Sequence, residues 1–222
     1  DGIGDALSGG VSLFDNGKLE RLSTISGKES LGIFFEHVTN LMNMRELEDE
    51  GKVMALSTYA YPLPDDQNPM LEWFKVDGLT LHARYGAHRT YQRLKELLWH
   101  FPSEQFAYMA QRTLEVKVIE LVQNAVRQME TENVALAGGI FANIQVNRLI
   151  RLLPEVKGCF VFPHMGDGGL ALGAALSLNA DRNGVTSYSF QQIYFGLDFS
   201  EEEMETAVKE FGFPYTKEED IV

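Results

Sequence analysis

Three short segments combine glycine with acid or amide side chains as a phosphate-holding site would. The first is Asp1-Gly2-Ile3-Gly4-Asp5, the second Gly138-Gly139 with Asn143 close behind, and the third Gly166-Asp167-Gly168-Gly169. Glycine admits backbone conformations closed to other residues and lets a ligand approach the main chain. Backbone N–H groups at such turns and at helix starts bind anions without side-chain charge. Asn143 could reach a ribose or a base edge. Asp167 could be an oxygen ligand for a divalent ion that accompanies phosphates, because Mg²⁺ and Mn²⁺ favour carboxylate and water oxygens. It could equally be a helix N-cap. His164 could add a metal or substrate contact, or be structural. Each loop alone could be an ordinary turn, but together, each at a strand end, they suggest one side of a nucleotide-phosphate cleft.

Other positions read both ways. At Glu50-Gly51-Lys52, the lysine could meet an anionic substrate, pair with Glu50 or sit solvated at a helix end. Gln111 and Glu115 share one helix side and read as an exposed polar face. The run from His82 to Arg89 reads as a solvated surface segment, with an anion-binding loop as the alternative. Cys159 lies in the apolar run GCFVF and reads as a buried strand thiol. Zinc-finger, zincin, P-loop and nucleophile-elbow motifs are absent.

The elements that would position these residues follow from periodicity. Asn16-Gly17 between VSLF and LERLSTI predicts a tight hairpin. A helix is expected over 31–44 with Ser30 as N-cap, and a short one over 51–60. The aromatic-rich stretch from the break at 61–69 to about His88 reads as irregular. The longest helix should start after Phe101-Pro102, capped by Ser103, and end before Thr131. Then strand, glycines and helix occur twice, with NVAL and CFVF as the strands. This order predicts α/β architecture with a parallel sheet. Ser200 and Glu203 have capping-box spacing ahead of a last acidic helix.

The chain has 222 residues and a formal charge of −13. That balance argues against wrapping a nucleic-acid backbone. No apolar run is long enough to span a membrane. A single cysteine excludes an internal disulfide and suits a reducing, cytoplasmic setting. The opening DGIGDALSGG has no signal-peptide pattern and reads as part of something longer.

Taken together, the motifs resemble the O-carbamoyltransferases of the nodulation-protein-U and cephalosporin-carbamoylating type. The carrying residues are DGIGD, SLGIFFEHVT, EGKVMALSTYA, LAGGIFANIQVNRLI and FPHMGDGGLALGAAL, in the family's order from Asp1 to about Ala180. The resemblance implies a ribonuclease-H-like lobe of the actin, heat-shock ATPase and sugar-kinase superfamily, with a mixed sheet flanked by helices. It implies that residues 1–184 form the second lobe of the nucleotide-binding domain, and that 185–222 are a linker and the start of a C-terminal domain. The implied chemistry converts carbamoyl phosphate and ATP to a carbamoyl-adenylate, then passes the carbamoyl group to a hydroxyl of a small-molecule acceptor, assisted by Fe, Mn or Mg.

Carried over by motif, Asp167 would be a metal ligand. Gly138, Gly139 and Asn143 would hold the adenosine, and Asp1, Gly2 and Gly4 would line the phosphates. Glu50 and Lys52 would lie on the nucleotide side; catalytic residues are not assigned. The family's histidine-rich HHxAHA-type motif is absent from this chain, and EGKVMALSTYA departs from the usual EYKVMGLAPYG. The expectation is therefore a fragment, inactive alone, that needs the first lobe and the C-terminal domain. The alternatives are a non-catalytic nucleotide-binding or interaction module, and a sugar or acyl kinase of the same superfamily.

Overall fold

The computed structural model describes residues 2–185, 187–190, 196–212 and 214–217. The chain divides into two compact units, Asp1–Thr186 and Ser187–Val222.

The first unit opens with an antiparallel hairpin, β1 (Leu7–Asp15) and β2 (Lys18–Ser26). Asn16 and Gly17 both have positive φ, 49° and 78°, as the tight turn demands. Helix α1 (Leu31–Leu41) follows, and Ser30 caps it by accepting from the Ile33 N–H at 3.0 Å. Helix α2 (Glu50–Leu56) continues into a short 3-10 turn, Ser57–Tyr59.

The stretch expected to be irregular contains a second hairpin, β3 (Phe74–Asp77) and β4 (Thr80–Ala83), and then helix α3 (Ala87–Leu98). Gly78 and Leu79 make the turn between the paired residues Asp77 and Thr80, with Gly78 at φ 58°. Glycine at the first of two loop positions is a recognised hairpin signal. Helix α3 takes in the end of the supposed surface segment, Ala87 to Arg89, and it buries Thr90 and Leu94.

Helix α4 (Ser103–Met129) spans 27 residues, about 40 Å at the usual rise. Ser103 is its first residue and not its cap; Pro102 holds the cap position, with no side-chain bond. Phe106, Met109, Ala110 and Leu114 of α4 are almost wholly buried. They belong to one core with Phe34 and Val38 of α1, Val53 of α2 and Val146 and Ile150 from beyond α4.

The last part is α/β, as the glycine-punctuated order predicts. Strand β5 (Asn133–Leu136) runs parallel to β6 (Gly158–Val161), with Leu136 opposite Val161. Helix α5 (Ile144–Arg151) makes the crossover, and α6 (Leu170–Asn183) follows β6. The implied single mixed sheet is not what forms. Among the described residues there are three two-stranded sheets, two antiparallel and one parallel, each pairing consecutive strands. Two are closed by local turns and the third by a crossover helix, so none needs the others for its pairing.

The second unit contains α7 (Glu201–Phe211), which begins with the expected capping box of Ser200 and Glu203. Among the described residues, no helix is long and apolar enough to cross a membrane.

Candidate functional site

The turns after β5 and β6 lie side by side at the carboxyl ends of the parallel pair, where open α/β sheets place ligands. The Gly138 N–H donates to the Met165 carbonyl at 2.7 Å. Gly138 sits at φ 109° and ψ 156°, a region essentially reserved for glycine. In the β6 turn the glycines make room for His164: a Cβ on Gly168 would overlap its imidazole, and one on Gly169 its carbonyl.

Beside Gly138 opens a cleft of about 420 Å³. Gly2 lines it together with Gly32, Phe35 and Glu36 of α1, Leu47 and Glu48 of the following loop, and Glu50, Gly51 and Met54 of α2. Leu114 of α4, the turn residues Gly139, Ile140 and Ala142, and Asn143 complete it. Four of the residues singled out from sequence, Gly2, Glu50, Gly139 and Asn143, are thus brought together from three separate segments.

Others lie elsewhere. Asp1 is outside the described residues. Gly4 exchanges backbone hydrogen bonds with Leu7 at 2.8 and 2.9 Å and is not part of the cleft lining. Lys52 points to Asp49 (2.8 Å), not to Glu50. The reason is spacing: Asp49 and Lys52 stand three apart at the helix start, while the Glu50 carboxylate accepts the Leu47 N–H at 2.8 Å. Asp167 begins a 3-10 turn, Asp167–Gly169, whose N-cap position is Gly166, so it is not the N-cap. It is exposed and does not line the cleft.

Asn143 is 8% exposed, and its side chain is fully engaged. It caps α5 by accepting from the Val146 N–H at 3.1 Å. It also pairs reciprocally with Gln111, donating to Oε1 at 2.7 Å and accepting from Nε2 at 3.1 Å. Gln111 Nε2 also donates to Glu115 at 2.8 Å. The expected exposed polar face is therefore buried: Gln111 is 2% and Glu115 8% exposed. Their partner comes from a distant turn, which helical spacing alone does not reveal.

The cleft is acidic. Burial, then Glu50 and Glu46, push the Glu36 carboxyl above the usual carboxylate range. Burial does the same to Glu115, against the pull of its Gln111 hydrogen bond. Asp49 moves the other way: Lys52 first, then Arg45, hold it well below that range. Sequence reasoning passed over Glu36 and Asp49. A lone acid inside the apolar run Phe34-Phe35-Glu36 was the available signal for the first.

Among the described residues, no three His, Cys, Asp or Glu side chains converge to hold a metal ion. A single carboxylate such as Asp167 suits an ion bound mainly through water and substrate phosphate oxygens, the usual manner of Mg²⁺.

Residues 1–176 match the family model described as the carbamoyltransferase N-terminus. The chain is 30% identical to an uncharacterized protein of Methanocaldococcus jannaschii, over 95% of this chain and 41% of that protein. It is 25% identical to an uncharacterized protein of Synechocystis, over 100% of this chain and 40% of that protein. It is 26% identical to the nodulation protein NolNO of Sinorhizobium fredii, over 89% of this chain and 30% of that protein. The chain thus spans well under half the length of these relatives.

Proposed function

The chain belongs to the carbamoyltransferase N-terminus family, and from that premise we propose that it forms the nucleotide side of an ATP-dependent O-carbamoyltransferase in a longer protein. The proposed reaction splits carbamoyl phosphate with water to carbamate and inorganic phosphate, joins the carbamate to ATP as a carbamoyl-adenylate with loss of pyrophosphate, and passes the carbamoyl group to a hydroxyl of a small-molecule acceptor, with AMP as the leaving group. The observation that carries this reading is the cleft that gathers Gly2, Glu50, Gly139 and Asn143 beside the two linked glycine turns. Its volume suits a nucleotide-sized ligand.

In this reading the unit Asp1–Thr186 is a ribonuclease-H-like lobe. Its parallel β5–β6 pair, with glycine turns at the carboxyl ends, supports that assignment. Gly139 and Ala142 form the wall against the adenosine, with Gly138 tying it to the β6 turn, and Gly2 lies toward the phosphates. Glycine at these points lets the nucleotide approach the main chain. Asn143 holds this wall through its backbone cap and its amide pair. Asp167, outside the cleft lining but on the turn tied to Gly138, would be one carboxylate ligand of a divalent ion, Fe, Mn or Mg, which would supply electrophilic charge at the phosphates. The acidic lining, Glu36, Glu48 and Glu50, opposes a bare polyphosphate and so favours a nucleotide that arrives as its metal complex. Lys52, held by Asp49, acts on the stability of α2 and not on the ligand.

The test is product analysis with the intact protein, ATP, Mn²⁺ and carbamoyl phosphate. Carbamoyl-phosphate-dependent release of pyrophosphate and AMP is expected. ADP formation with phosphorylation of the acceptor would replace this reading with the kinase one. Calorimetry with ATP and Mn²⁺ on Asp167→Ala tests the ligand assignment, and unchanged metal-dependent binding would remove it.

A further inference from the structure

We infer that Gln111 and Glu115 are positioning residues for the nucleoside wall of the cleft, acting through Asn143 without touching the ligand. This rests on the nucleotide reading proposed above.

The argument begins at a donor whose identity is fixed. The Val146 backbone N–H can only donate, so Asn143 must turn its carbonyl oxygen to it, at 3.1 Å. The Asn143 amide nitrogen then faces Gln111 Oε1 at 2.7 Å. Gln111 in turn must point its own nitrogen toward Asn143 Oδ1 and Glu115 Oε1, at 3.1 and 2.8 Å. Each orientation dictates the next, and the string ends on a group that has to accept. A carboxylate meets that requirement in one way only, whereas a terminal amide could flip. Burying a carboxylate is costly; the Gln111 hydrogen bond and the Arg112 guanidinium at 3.9 Å offset part of that cost here.

The string bears on the cleft because Asn143 closes the 3-10 turn Gly139–Ala142 that lines it. A second tether acts on the same turn: Asn147 Nδ2 donates to the Phe141 carbonyl at 2.7 Å. With its start tied to the β6 turn through Gly138 and its end fixed by Asn143, the wall has one conformation to present. A fixed wall spares the nucleotide the ordering cost of binding.

The experiment measures ATP affinity of the intact protein by calorimetry, with circular dichroism and thermal melts to verify folding. Gln111→Glu places oxygen opposite both Asn143 Oδ1 and Glu115. It should weaken nucleotide binding about tenfold or more. Adding Glu115→Gln supplies a donor to the new carboxylate but leaves that carboxylate opposite Asn143 Oδ1, so affinity should recover in part, to between the single variant and wild type. Should Gln111→Glu not fold, Gln111→Met, of similar volume without polar atoms, is read in its place with the same expected loss. A folded Gln111 variant with wild-type affinity, or a double variant as weak as the single one, would overturn the inference alone. Wild-type protein that binds no nucleotide would overturn the nucleotide reading and this inference with it.

Discussion

Replacing Gly138 by alanine changes one hydrogen to a methyl group, and its cost can be worked from two features. The first is conformation. At φ 109° and ψ 156°, a side chain costs about 1–3 kcal/mol. The second is the Gly138 N–H bond to Met165 at 2.7 Å, which the turn loses if it relaxes to relieve that strain, at about 0.5–1.5 kcal/mol. The turn either keeps the strain or gives up the bond to relieve it, so the expected loss lies between about 0.5 and 3 kcal/mol. Gly173→Ala is the internal control. Gly173 lies inside α6, and a Cβ there would meet nothing within 4 Å. Alanine in a helix interior is favoured over glycine by up to about 1 kcal/mol, so this variant should gain stability. Urea unfolding followed by circular dichroism reads both, as shifts of midpoint in opposite directions at unchanged slope. Equal signs for the two, or a Gly138→Ala loss below about 0.5 kcal/mol, would refute the reasoning.

Asn143→Ala removes a helix cap, about 1 kcal/mol, and strands the buried Gln111 amide, about 1–3 kcal/mol; urea unfolding should show the sum, and a loss near the cap value alone would mean Gln111 finds other partners. Glu36→Gln should raise the melting temperature at pH 7, since the charged form is disfavoured by burial, Glu50 and Glu46. Its folded value is raised, so the wild type gains stability as pH falls through that value toward 4.5 and the gap between the two should close. A gap that widens in acid would contradict the sign. For Asp49 the folded value is depressed, so its stabilisation is present above the ordinary 3.8 and is lost as pH falls below it. Asp49→Asn should therefore flatten the acid limb of the stability curve, and an unchanged limb would dismiss the Lys52 and Arg45 contacts as its cause. Chelating divalent ions should weaken ATP binding to the intact protein by about tenfold or more, because the cleft itself is acidic; salt-independent, chelator-independent binding would count against that electrostatic account.

What was legible in the sequence was local. Asn16-Gly17 announced the first hairpin, and strand–glycine–helix order announced the β5–β6 pair and its turns. Gly78-Leu79 carried a weaker signal of the same kind, between two strands of only four residues each. The burial of Gln111 and Glu115 could not be read, because the residue that satisfies them, Asn143, stands 32 positions from Gln111. Helix α4 is packed on several sides, so no single polar stripe distinguishes its exposed face from a buried string. Glu36 is a similar case: its neighbours Phe34 and Phe35 mark α1 as buried, but which acids it meets depends on where α2 and the preceding loop are placed. The family motifs located the cleft lining at Gly2, Glu50, Gly139 and Asn143. They did not separate Lys52, whose reach is set by Asp49, from its neighbours.

The hydrogen bond between Gly138 and Met165 joins turns that belong to different βα units. A designer who redraws one turn therefore redraws the other. A library that randomises residues 163–168 while holding 137–140 constant would include changes at Gly168, where a Cβ overlaps the His164 imidazole, and these shift the turn that carries the Met165 carbonyl. Randomising both turns as one cassette lets the pair change together.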